Sequence, residues 1–168
     1  MATTAKPHPT AARGEMLDER ELRAWRGMLR AHAMLTKALD AELEAAHGLP
    51  LSSYEVLLHL HDAEGRRMRM SDLAATVILS RSGLTRLVDR LEREGLIERQ
   101  SCPSDARGSF ATLTAAGERK LQAARATHLA GVRSLFLDHF TPEEQEMLGA
   151  AWERLLPGMV DAPGPACG

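Results

Sequence analysis

Apolar positions set the reading frame of the chain. Leu22, Trp25, Leu29, His32, Thr36, Leu39 and Leu43 recur at alternating steps of three and four, a heptad stripe along one face. The pattern predicts a helix over residues 18–46, ended by Gly48 and Pro50. At 1.5 Å per residue it would be roughly 40 Å long, more than a compact lone domain covers, so part of the stripe is expected to meet another chain. Ser52 and Glu55 fit a capping box opening a second helix, with Val56, Leu57 and Leu60 inward and Gly65 as its stop. RRMRM, 66–70, reads as a short strand. Ser71 caps a third helix with Leu73, Ala74 and Val77 inward, and Ser80 caps a fourth that Gly95 ends. LIERQS (96–101) and SFATLT (109–114) read as strands around the loop CPSDARGS. Thr114 caps a long helix carrying Leu121, Leu129, Val132, Leu135 and Phe136. Thr141, Pro142 and Glu144 open a last helix with Leu148, Ala151, Trp152 and Leu155 on its apolar face. Residues 1–16 and 158–168 show no periodicity and read as disordered extensions.

Composition adds little to this until it is read locally. Apolar residues at 44% and charged residues at 26% describe an ordinary soluble domain. No apolar run reaches a membrane span, and the N-terminus lacks a secretory core segment, so a cytoplasmic protein without a membrane partner is expected. The net charge of −2 hides a split. Residues 66–108 hold nine arginines against six acids, a local +3 on an otherwise acidic chain, which suits an anion-binding face.

The chemistry concentrates in residues 71–95. Two helices joined by a tight turn form a helix-turn-helix arrangement. In the second, Leu84, Leu87, Val88 and Leu91 face inward, leaving Ser82, Thr85, Arg86, Asp89 and Arg93 outside, with Arg81 and Arg90 at the margins. A solvated charged face is the ordinary reading of such a helix. Here, small hydroxyls at the N-terminal turn allow close approach to base edges, and Arg one turn on can bond guanine O6 and N7. Free N–H groups at the helix start favour a phosphate.

A helix-turn-helix followed directly by LIERQSCPSDARGSFATLT is a winged helix. The chain resembles the MarR family of bacterial transcriptional regulators over residues 18–157. The resemblance rests on SDLA, SRSGLTRLVDRLEREGLIER, and Asp105, Arg107, Leu113, Thr114 and Gly117 downstream. It implies a mainly α fold with a small β-hairpin wing and a helical dimerisation body. On this resemblance residues 17–157 would form a single winged-helix domain, with 17–50 and 115–157 as the dimer body, 51–114 as the DNA-binding lobe, and 96–114 as the wing. The resemblance further implies a homodimer on a palindromic operator of double-stranded DNA. Ser80, Arg81, Ser82, Thr85, Arg86, Asp89 and Arg90 then belong to the recognition-helix contact. Asp105, Arg107 and Gly108 belong to the wing, with Arg107 in the minor groove and Asp105 steering it.

Relatives of this family act as repressors released by a small-molecule effector, often an aromatic or phenolic acid. Trp25, His32 and Tyr54 are the candidates for holding one; Trp25 and His32, seven apart in a heptad stripe, would ordinarily be interface packing. Cys102 offers an alternative, redox-responsive reading, since Arg99 and Arg107 stand near it in sequence. A winged-helix module that binds protein and not DNA is the other alternative. Neither Cys102 nor Cys167 belongs to a C-x-x-C pair, and the histidines show no ligating spacing, so no metal is expected. No cofactor is expected. No nucleophile elbow, phosphate loop or zinc-protease motif suggests an enzyme.

Overall fold

The computed structural model describes residues 16–77, 81–102 and 105–157, with the backbone alone for 81, 82, 101, 102 and 105–108. The expected disordered extensions lie outside these residues apart from Met16, as do the expected cap Ser80 and the loop pair 103–104. The described elements run in this order: α1 (Glu19–His47), α2 (Leu51–Asp62), a 3-10 turn (Glu64–Arg66), β1 (Arg67–Arg69), α3 (Met70–Thr76) and α4 (Arg81–Arg93). There follow β2 (Ile97–Cys102), β3 (Asp105–Leu113), α5 (Ala115–Leu135), a second 3-10 turn (Leu137–His139) and α6 (Pro142–Leu155). No helix among the described residues is long and apolar enough to cross a membrane.

The chain divides into two units after Met34. The first holds the N-terminal part of α1. Asp18 and Glu21 cap each other there: Asp18 Oδ1 accepts from the Glu21 N–H at 2.8 Å, and Glu21 Oε2 accepts from the Asp18 N–H at 2.9 Å. This reciprocal box satisfies two orphan donors of the helix start. Within this unit Trp25 and Leu29 on the stripe, and Met34 off it, are about half exposed, so this stretch of α1 leaves large apolar groups uncovered.

The second unit carries the core. Leu43, Tyr54, Val56, Leu57, Leu60, Leu73, Leu84, Val88, Leu91, Ile97 and Leu121 are buried together. Helix α2 begins at Leu51, two residues earlier than a Ser52 cap would allow, and no side chain of its own caps it. The Leu51 N–H instead donates to Asp40 Oδ1 on α1 at 2.8 Å. Helix α3 likewise starts before Ser71, whose hydroxyl donates to Asp72 rather than capping. The expected caps at Thr114 and Thr141 are present: Thr114 Oγ1 accepts from the Gly117 N–H, and Thr141 with Glu144 forms a full capping box. Helix α5 stops at Leu135, so Phe136 lies beyond it, and His128 and His139 do not share one helix.

The three strands form an antiparallel sheet in the order β1-β3-β2. Ile97 pairs with Leu113 and Ser101 with Ser109; the register then shifts, and Cys102 pairs with Asp105. Residues 106–108 fill that irregularity. The hairpin is thus longer than its alternation suggests, because the ladder resumes past the irregularity. Most of the expected loop, from Asp105 onward, is strand.

Gly95 and Gly117 fix how the hairpin meets its neighbouring helices. Gly95 turns the chain out of α4 at φ 71, the left-handed region that a side chain disfavours. At Gly117 a Cβ would stand 2.1 Å from the Leu96 carbonyl oxygen, so only glycine lets α5 approach the backbone just before β2 this closely. Thr114 Oγ1 donates to the Gly95 carbonyl at 2.7 Å across the same junction.

Candidate nucleic-acid interface

The face of α4 follows from its 3.6-residue period. Leu84, Leu87, Val88 and Leu91 are buried, which turns Thr85, Arg86 and Arg93 to the outside, all three exposed. Arg86 has no ion-pair partner among the described residues. A long cation held on a rigid helix with its charge unspent can meet an anion or a base edge without breaking an internal contact first.

Two residues expected on that face are engaged inside the protein. Asp89 pairs with Arg99 of β2. Arg90 Nη2 donates to Ser53 Oγ of α2 at 2.6 Å, and its Nε lies 4.0 Å from Glu94. Ser53 is 1% exposed, and its hydroxyl gives the Arg90 guanidinium a neutral acceptor inside the lobe. Arg81 and Ser82 lie on the first turn of α4 and Asp105, Arg107 and Gly108 on β3, their side chains beyond the described atoms; Ser80 is outside the described residues.

Arg99 was not among the expected site residues. Besides pairing with Asp89, its Nε lies 3.6 Å from Glu92 and its Nη2 donates to the Thr85 carbonyl at 3.4 Å. Its own backbone N–H donates to Glu92 at 3.2 Å. One guanidinium thus ties the wing strand to three positions on α4. Strand alternation contained this signal: Ile97 is a core residue, so Arg99, two positions on, points to the same helix-covered side.

The second unit also holds a titratable seam between α2 and α5. His61 Nδ1 lies 2.8 Å from Glu118, which also pairs with Arg66 at 3.2 Å. Burial pushes the Glu118 carboxyl upward, but hydrogen bonds from Gln122 and His61 and the nearby charges outweigh it and hold it below its ordinary range. The His128 ring rests on Tyr54 with centroids 4.5 Å apart, and its Nδ1 is buried without a described partner. Burial lowers the pKa of His128, and also that of His59 against the pull of Asp62. No group of three or more metal-ligating side chains comes together among the described residues.

The effector candidates differ in setting. Trp25 is 52% exposed and His32 exposed in the first unit, while Tyr54 is 2% exposed in the second, its ring held by His128.

Comparison with known proteins places this architecture among regulators. The model of the MarR family matches residues 47–108. The transcriptional repressor YetL of Bacillus subtilis is 29% identical over 115 residues, covering 66% of this chain and 68% of its own. The regulator YxaD of the same organism is 32% identical over 123 residues, covering 73% and 84%. Among solved structures, AbsC of Streptomyces coelicolor, a MarR family transcriptional regulator, superposes with a TM-score of 0.77 at 38% identity over 84% of this chain and 95% of its own. Sco3205 of the same organism, a MarR family regulator solved in complex with DNA, gives 0.77 at 36% identity over 90% and 98%.

Proposed function

This chain belongs to the MarR family of transcriptional regulators, and on that premise we propose that it binds a palindromic operator in double-stranded DNA as a homodimer and represses transcription until a small molecule releases it. It is a regulator and not an enzyme. The observation that carries the DNA reading is the outer face of α4, where Thr85 and Arg86 are exposed, Arg86 without an ion-pair partner, on a helix whose other face is locked into the core. The relative Sco3205, solved with DNA, supports the same reading.

On this proposal Thr85 and Arg86 enter the major groove with Ser80, Arg81 and Ser82 at the helix start. Arg107 reaches the minor groove from the wing, with Asp105 and Gly108 beside it. Asp89 and Arg90 contribute by holding α4 in place. Two copies of α4 then read half-sites about 34 Å apart. Exposed Trp25, Leu29 and Met34 are apolar surface for a second copy to cover. Trp25, His32 and Tyr54 are the residues proposed to meet the effector, an aromatic or phenolic acid, and the protein works in the cytoplasm.

Selection of duplexes from a random pool, followed by anisotropy titration of the recovered site, tests the proposal. Wild type is expected to recover an inverted repeat and to lose affinity steeply as salt rises. Failure to recover any duplex at low salt would refute DNA binding and leave a protein-binding module.

A further inference from the structure

The sheet has a second surface, turned away from α4. Register assigns it: Arg69 stands opposite Phe110, which stands opposite Gln100, and Arg67 stands opposite Thr112. These side chains share one face, while Met68, Ala111 and Arg99 take the other, towards the core and α4. On the outer face both guanidinium groups lie over the Phe110 ring, Arg67 at 5.4 Å and Arg69 at 5.3 Å from its centroid. Neither has an ion-pair partner among the described residues. They border an open concavity of about 790 Å³ that Gln100 also lines.

The electron-rich ring face attracts a guanidinium placed over it and limits its freedom, and a guanidinium so ordered can grip a phosphate with two hydrogen bonds. The platform also adjoins the wing. Phe110 is three residues along β3 from Arg107, at most about 10 Å at 3.3 Å per residue. A minor groove is only about 6 Å wide, so the phosphates bordering it stand within roughly that distance of a side chain placed inside. An extended arginine covers the remainder.

We propose that Arg67 and Arg69, ordered by Phe110, form a second DNA-contact surface that grips the phosphodiester backbone on the outer flank of the wing's minor groove. The proposal rests on the DNA-binding reading above and lengthens the footprint that α4 and the wing tip would make. Such contacts carry no base information; they add affinity, salt dependence and a requirement for flanking duplex. Glu64 and Asp72 line the same concavity and oppose an anion there, which gives the proposal a signed counter-test.

The experiment uses the duplex that wild-type protein recovers from a random pool, in two lengths: trimmed to the inverted repeat, and extended by about one helical turn on each side. The double variant Arg67→Gln/Arg69→Gln removes two exposed charges and is expected to melt with wild type. It should bind the trimmed duplex as wild type does and the extended duplex about tenfold more weakly, with a log–log salt slope smaller by about two per protomer. Asp72→Asn should strengthen binding to the extended duplex, and Arg86→Ala should weaken binding to both lengths. Equal binding of the double variant and wild type on the extended duplex would overturn this surface while leaving the operator reading intact. Recovery of no duplex by wild type would overturn both.

Discussion

Between Arg86 and Arg90 lies one turn of α4, and their surroundings differ. Arg86 is exposed with no ion-pair partner among the described residues; Arg90 is half-buried on the hydroxyl of Ser53. Arg86→Ala is expected to cost ~1–3 kcal/mol of operator binding and relax base preference with an unchanged melting temperature. Arg90→Ala orphans the buried Ser53 hydroxyl and is expected to cost ~1–3 kcal/mol of stability by denaturant titration. An Arg90→Ala protein as stable as wild type would show that the contact with Ser53 holds nothing. His128 gives a pH dependence of definite sign. Burial depresses its folded pKa below 6.5, so the unfolded chain binds more protons as pH falls. Stability is complete above about pH 6.5 and declines below it. Melting temperatures from pH 8 to pH 5.5 should fall, and His128→Asn should flatten the decline, with His59 supplying the remainder.

At the scale of elements, the joints matter more than the helices. Gly117 stands where α5 crosses the Leu96 carbonyl, and Thr114 bonds both its own helix and the end of the α4 turn. A Cβ there meets backbone, which cannot swing aside as a side-chain tip can. Gly117→Ala is therefore expected to destabilise by about 1–3 kcal/mol. A melting temperature equal to wild type would contradict that packing. The Asp40 cap on Leu51 is a smaller joint between α1 and α2. Asp40→Ala should cost about 1 kcal/mol, read as a lower denaturant midpoint with an unchanged slope.

For the whole molecule, the exposed apolar surface of α1 governs assembly on the dimer proposal. Trp25, Leu29 and Met34 remain about half exposed, costly for a chain that acts alone. If a second copy covers them, Trp25→Glu with Leu29→Glu disrupts a two-fold contact twice over. Losing about 3 kcal/mol or more raises the dimer dissociation constant at least about a hundredfold. Sedimentation at micromolar protein reads this directly, and a double variant that still sediments as a dimer would place the interface elsewhere.

The sequence alone determined the order of elements, the buried face of α4, the caps at Thr114 and Thr141, and the pairing of a helix-turn-helix with a wing. These depend on period, capping chemistry and turn residues, which act over a few positions and leave local marks. It led to Ser52 and Ser71 as caps, where Asp40 and an uncapped start were found. A cap supplied from eleven residues away leaves no such mark. Nor did the charged face of α4 disclose which side chains were already engaged. Asp89 and Arg90 look like Arg86 in the sequence, but Arg99 and Ser53, ten and thirty-seven positions distant, occupy them. The guanidinium pair over Phe110 likewise required the β1–β3 register to exist. Local free energies select an element from its own residues; whether an exposed charge is spent depends on partners that only the folded chain brings within hydrogen-bonding distance.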